Sequence, residues 1–201
     1  MNSANYVVFD FETDGVDTST CQVLQVAALV LNPRTLKPIE GARFDSYMKP
    51  DFEKLDLSAL EINKINIDTL KSAPSNKVVW KMFAKFCQQY NVVEDKATKK
   101  PIPVGYNIQN FDLAITNRLN EEFKQKSFFS RFSMDVMDLA FMWFENNNVV
   151  DNLKFDSLRN LFGFSHENAH NAITDVEQTA IIFEKFILLN RNISKYVKWE
   201  K

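Results

Sequence analysis

The sequence predicts an α/β domain with a mixed five-stranded sheet flanked by helices. Three observations lead there. The first fifty residues hold two stretches rich in Val, Leu and aromatics, separated by turn-forming residues, and a third that alternates weakly. The rest alternates segments of helical period with short apolar runs, the pattern of helices packed on the faces of a sheet. At 201 residues and 45% hydrophobic, the chain has material for one sizeable core, so a single domain over residues 1–201 is expected.

Residues 6–13 and 22–31 read as two strands, with Asp14-Gly15 and Thr18-Ser19-Thr20 forming the turn between them. Residues 43–49 alternate weakly and form a third strand. Residues 56–70 show helical spacing in short pieces. Over 78–90, Val79, Met82, Phe83, Phe86 and Tyr90 make one helical face. Residues 96–101 are a charged loop before a buried strand at 102–106. A helix over 110–126 places Phe111, Ile115, Leu119 and Phe123 four residues apart. A short last strand is expected within 133–138, then helices at 137–144, 155–162 and 172–189.

Composition removes several function classes. The net charge of −2 argues against a broad non-specific nucleic-acid clamp, which needs a strongly basic face. Acidic sites that hold cations can still attract phosphate locally. Four glycines, at 15, 41, 105 and 163, cannot build a GxGxxG or Walker-type loop. Cys21 and Cys87 are too few for a disulfide framework or zinc knuckle and read as reduced thiols. Residues 1–5 lack a basic region followed by an apolar core, and no apolar run approaches the ~18 residues of a membrane span. A cytoplasmic protein with no membrane partner is expected.

Chemistry concentrates in three short segments. Asp10 and Glu12 lie two apart in a strand, so they share a face, with Phe9 and Phe11 on the other. Same-face carboxylates in a buried strand repel unless a cation bridges them. Asp112 follows Val104-Gly105-Tyr106-Asn107 and falls about one turn into a helix, where the dipole favours an acid. His170 and Asp175 are five apart; both reach one cleft if His170 sits on the approach to a helix that contains Asp175. Acids gathered in an apolar setting are costly without cations, which points to a divalent-metal site with a histidine handling a proton.

Taken in order, these segments resemble the DEDDh branch of the DnaQ-like 3′-to-5′ exonucleases, a family of the ribonuclease H-like superfamily. The resemblance spans residues 6–190. It includes Asn110-Phe111-Asp112 opening a helix and Ala169-His170-Asn171-Ala172 leading to Asp175. Asn171 stands where the sister branch has tyrosine, which indicates the histidine branch. Met134-Asp135-Val136-Met137-Asp138-Leu139-Ala140 and Phe155-Asp156-Ser157-Leu158 resemble further family segments, with Asp138 in a structural role. Tyr106-Asn107 replaces a frequent His-Asn, and Asn63-Lys64 replaces His-Gly in the segment 60–66.

The resemblance implies a ribonuclease H-like fold and metal-dependent hydrolysis of nucleic acid from 3′ ends to nucleoside 5′-monophosphates. Two Mg²⁺ ions, with Mn²⁺ as substitute, would be held by Asp10, Glu12, Asp112 and Asp175, and His170 would accept the water's proton. Phe11, Thr13, Ile62, Asn63 and Asn107 would meet substrate. DNA is favoured over RNA and single strands over duplex. The alternatives are RNA 3′-end trimming, or a catalytically idle subunit of a polymerase or processing complex.

Overall fold

The computed structural model describes residues 4–94, 97–145, 149–167 and 170–197. Strands β1 (Tyr6–Thr13), β2 (Val23–Leu31) and β3 (Pro38–Tyr47) are followed by helices α1 (Leu57–Asn63), α2 (Ile67–Ser72) and α3 (Asn76–Gln89). Next come the short strands β4 (Val92–Glu94) and β5 (Ala97–Lys99), then β6 (Ile102–Gly105) and α4 (Asp112–Glu122). The chain closes with β7 (Met134–Asp135), α5 (Val136–Phe144), α6 (Phe155–Phe162) and α7 (Ala172–Ser194).

Five strands form one sheet in the order β3-β2-β1-β6-β7. β1–β2 and β2–β3 are antiparallel, whereas β1–β6 and β6–β7 are parallel. β1 is therefore the central strand, with an antiparallel meander on one side and parallel pairing on the other. This is the mixed five-stranded sheet that the sequence predicts.

The period-2 alternation of β1 divides the core. Val7, Phe9 and Phe11 face α3 and α4, among Trp80, Phe83, Phe128 and Phe129. Val8 faces the other way, against Val176 and Phe183 of α7. Trp80 and Phe83 are fully buried, each worth ~1.5–3 kcal/mol or more of hydrophobic transfer. The Trp80 indole N–H donates to Asn120 at 3.1 Å, so its burial leaves no orphan donor.

Several boundaries differ from expectation. β3 begins at Pro38 rather than at 43, and β7 is only two residues long. Residues 97–99 of the expected charged loop are instead strand β5, paired antiparallel with β4; residue 96 lies outside the described residues. Helix α4 is shorter than predicted because Phe111 has non-helical backbone and Lys124 turns left-handed at φ 52°. Gly163 ends α6 at φ 70°, a left-handed cap that suits a residue without Cβ, and sends the chain back toward α7. Among the described residues no helix is long and apolar enough to cross a membrane.

Candidate active site

Val8 shares its face of β1 with Asp10 and Glu12, so the strand delivers apolar contact at one end and two carboxylates at the other. Glu12 is 8% exposed. Asp175 enters from the first turn of α7, where the helix dipole favours an anion. One carboxylate oxygen each from Asp10, Glu12 and Asp175 can lie within 4.8 Å of the others. Asp112 is the first residue of α4 and is buried. Its Oδ1 accepts the backbone N–H of Phe11 at 3.2 Å, which brings it beside the same stretch of β1. Four acids from three elements thus meet near the carboxyl end of the central strand, where open α/β sheets commonly bind ligands.

Electrostatics mark the cluster as short of positive charge. Burial, reinforced by Asp112, Glu12 and Asp175, holds the Asp10 carboxyl well above the usual range, with Arg159 opposing. Glu12 is pushed up to about 8 by burial, then by Asp175 and Asp112. Asp112 reaches about 8, chiefly through burial, although the N–H groups of Asp112 and Phe11 work the other way. Asp175 is also raised, mainly by burial, while Arg159 lowers it. Carboxylates that resist ionising without a cation, with oxygen as the only donor atom, fit hard divalent ions such as Mg²⁺ or Mn²⁺.

A stability prediction follows with a definite sign. Glu12 and Asp112 titrate near 8 in the fold but near ~4 in an unfolded chain. Between those values the metal-free fold binds more protons than the unfolded chain, so its stability falls as pH rises. Metal-free protein should melt lower at pH 8 than at pH 6, and the rise in Tm on adding Mg²⁺ should be larger at pH 8. Paired melts with and without Mg²⁺ check this; an increment that does not grow with pH would contradict it.

His170 lies on the approach to α7, exposed, with φ 64°. Its backbone is in the left-handed region, which histidine visits more readily than bulkier residues. Asp156 is lowered chiefly by its hydrogen bond from Arg159, with His170 near enough to add to the effect, and His170 also lies within electrostatic reach of Asp175. The adjacent Asn171 buries its Oδ1 with no hydrogen-bond partner. His166 is engaged elsewhere: its Nε2 is 2.7 Å from Asn160 Oδ1.

Residues 7–183 match the exonuclease family. The chain belongs to that family. It is 30% identical over 184 residues to the PolC-type DNA polymerase III of Lacticaseibacillus paracasei, covering 90% of this chain but 11% of the polymerase. Identity to ribonuclease T of Vibrio campbellii is 27% over 183 residues, 88% of this chain and 82% of that enzyme. Among solved structures, exonuclease I of E. coli in complex with a dT13 oligonucleotide superposes with a TM-score of 0.77 at 19% identity, over 96% of this chain and 43% of that one. The chain thus spans only a small part of the PolC polymerases it resembles, and its fold is the ribonuclease H-like fold of exonuclease I.

In this exonuclease-family chain the residues expected to meet substrate are placed unevenly. Phe11 is 4% exposed and packs on Phe9 and Trp80. Its position on the odd face of β1 is the reason. Thr13 donates its hydroxyl to Gly15 O at 2.7 Å, and its carbonyl accepts from Asn63 Nδ2 at 2.9 Å. Asn63 thereby ties α1 to the end of β1, while Ile62 beside it is 62% exposed. Asn107 has φ 53°; its N–H donates to Asp135 Oδ1 at 2.9 Å, and its side-chain oxygen accepts from Asn110 at 3.1 Å.

Sequence reasoning missed two contributors. Asp135, buried, accepts N–H groups from Asn107, Gln109 and Met137, and so fixes the turn that leads to Asp112. Arg159 is buried in α6 and donates to Asp175, Asp156 and Gln178. Its spacing from Asp156 reads in sequence as an ordinary surface pair on one helix.

Proposed function

We propose that this chain is a metal-dependent 3′-to-5′ exonuclease that releases nucleoside 5′-monophosphates, with single-stranded DNA as its favoured substrate. The observation that carries the reading is the convergence of Asp10, Glu12 and Asp175, with Asp112 alongside, at the end of the central strand. Two divalent ions bound there would neutralise the scissile phosphate and make a water acidic enough to attack it. Asp10, Glu12, Asp175 and Asp112 would hold these ions. His170, solvent-accessible and flanking α7, takes the proton from the attacking water as general base.

The preference for DNA draws on the PolC-type relative, and the same relative motivates a polymerase or processing complex as partner. Similarity to ribonuclease T supports RNA 3′-end trimming as the second reading. An idle subunit is disfavoured, since a site without chemistry has no use for four crowded acids. The test is digestion of 5′-labelled DNA and RNA oligonucleotides, single- and double-stranded, with free or blocked 3′ ends. Expected is a ladder shortening from the free 3′ end, fastest on single-stranded DNA, with nucleoside monophosphate released. Faster digestion of RNA would move the assignment to RNA trimming; insensitivity to the 3′ block would refute the polarity.

A further inference from the structure

Among the described residues, Arg159 is the buried cation beside these acids, and its bonding is specific. We infer that Arg159 is a positioning residue of the metal centre, fixing the Asp175 carboxylate and tying it to the segment that leads to His170; this rests on the exonuclease reading above. The Arg159 side chain is 1% exposed, whereas that of Asp175 is 14% exposed. Three nitrogens of the guanidinium are each committed to a different acceptor. Nη2 donates to Asp175 Oδ1, Nη1 to Asp156 Oδ1 at 2.6 Å, and Nε to Gln178 Oε1 at 2.8 Å. The Phe155 ring lies beneath it, 4.3 Å from Cζ. A planar fork held on three edges and one face cannot turn, so its contact with Asp175 has a set direction. With Oδ1 engaged by Arg159, the second oxygen of Asp175 would be the freer of the two for an ion.

The same bracket extends toward the base. Gln178 lies one turn beyond Asp175 on α7, and its Nε2 donates to the carbonyl of Ser165 at 3.3 Å. Ser165, just beyond α6, is thereby fastened to the residue that orients Arg159. His166, the next residue, places its Nδ1 3.8 Å from Asp156 Oδ1, the carboxylate that Arg159 also binds. One buried guanidinium therefore stands between the Asp175 metal ligand and the approach to the general base.

Three roles for Arg159 predict different metal binding. If it supplied only charge, Arg159→Met would bind ions more tightly, because a nearby positive charge is gone, and Arg159→Lys would match wild type. If it only held α6 to α7, both variants would melt lower with unchanged affinity. A positioning role requires the fork, so Met and Lys should both weaken binding, by about 10–100-fold as for other residues that orient a metal ligand. Mn²⁺ titration of the full chain, followed by electron paramagnetic resonance and paired with thermal melts, reads this directly. In the nuclease assay kcat should fall by a similar factor while KM for the oligonucleotide changes less than kcat. Gln178→Met, near in volume and away from the ions, covers the case in which the Arg159 variants fail to fold; it should weaken Mn²⁺ binding about tenfold. Wild-type binding with unaltered affinity in the folded variants, or tighter binding in Arg159→Met, would overturn the assignment alone. No Mn²⁺ binding by the wild-type chain would instead sink the exonuclease reading, and this assignment with it.

Discussion

Asp10→Ala and Asp175→Ala should both reduce nuclease turnover to background, yet shift the stability of the metal-free protein in opposite directions. Each removes a carboxylate from the oxygen cluster proposed to hold the ions. Their surroundings differ. Asp10 is raised by burial and by three like charges, so its removal relieves repulsion, and the apo Tm should hold or rise. Asp175 is bonded to the buried Arg159. Losing it leaves a guanidinium edge unsatisfied, at a cost of roughly 1–3 kcal/mol, the range for stranding a buried donor. In a chain of this size that is a fall of several degrees, given ~2–4 °C per kcal/mol. From the sequence alone both substitutions look equally harmless to the fold, because repulsion among acids is legible there and Arg159 is not. Apo melting curves of the two variants decide between these accounts. A fall in Tm for Asp10→Ala as large as that for Asp175→Ala would make Asp10 a structural residue.

His170→Ala should retain metal binding and lose roughly 10²–10⁴ in rate, the usual contribution of a general base, while His166→Ala loses little. His170 is exposed beside α7, with its charge felt at Asp175, whereas His166 is spent on Asn160. Because φ at 170 is 64°, alanine there is strained. His170→Asn is the better-matched variant: asparagine tolerates left-handed backbone but is no base. The wild-type rate should rise with pH, since the base acts deprotonated, and the part of the rise that belongs to this base should vanish in His170→Asn. Equal losses in the two histidine variants, or an unchanged pH profile in His170→Asn, would leave the reaction without a protein base.

How much the sequence disclosed depends on how local each signal was. Strands β1 and β2 were legible because apolar runs flanked by turn residues are local signals, whereas β3 showed only a weak alternation that hid its start at Pro38. The Asp10–Glu12 pair was legible because the two-residue period of a strand fixes its shared face. The β4–β5 pairing was hidden in a charged stretch that carries no apolar run to mark it as strand. The core position of the Phe11 ring was legible from the same two-residue period, since it shares its parity with Phe9. Asp135 and Arg159 stayed invisible as site builders because each acts through contacts distant in the chain: Asp135 with Asn107 and Gln109, Arg159 with Asp175 and Gln178. Arg159 in particular sits three residues from an acid on the same helix, a spacing that ordinarily signals a solvent-exposed pair.

The central claim is that these acids exist to hold catalytic divalent ions, and the most direct measurement is turnover as a function of metal on chelator-stripped protein. Single-stranded oligonucleotide digestion should be absent in EDTA and return on adding Mg²⁺ or Mn²⁺. Ca²⁺ should bind and compete but support little turnover, because its larger and looser coordination misplaces the attacking water. Full activity in metal-free buffer would contradict the account.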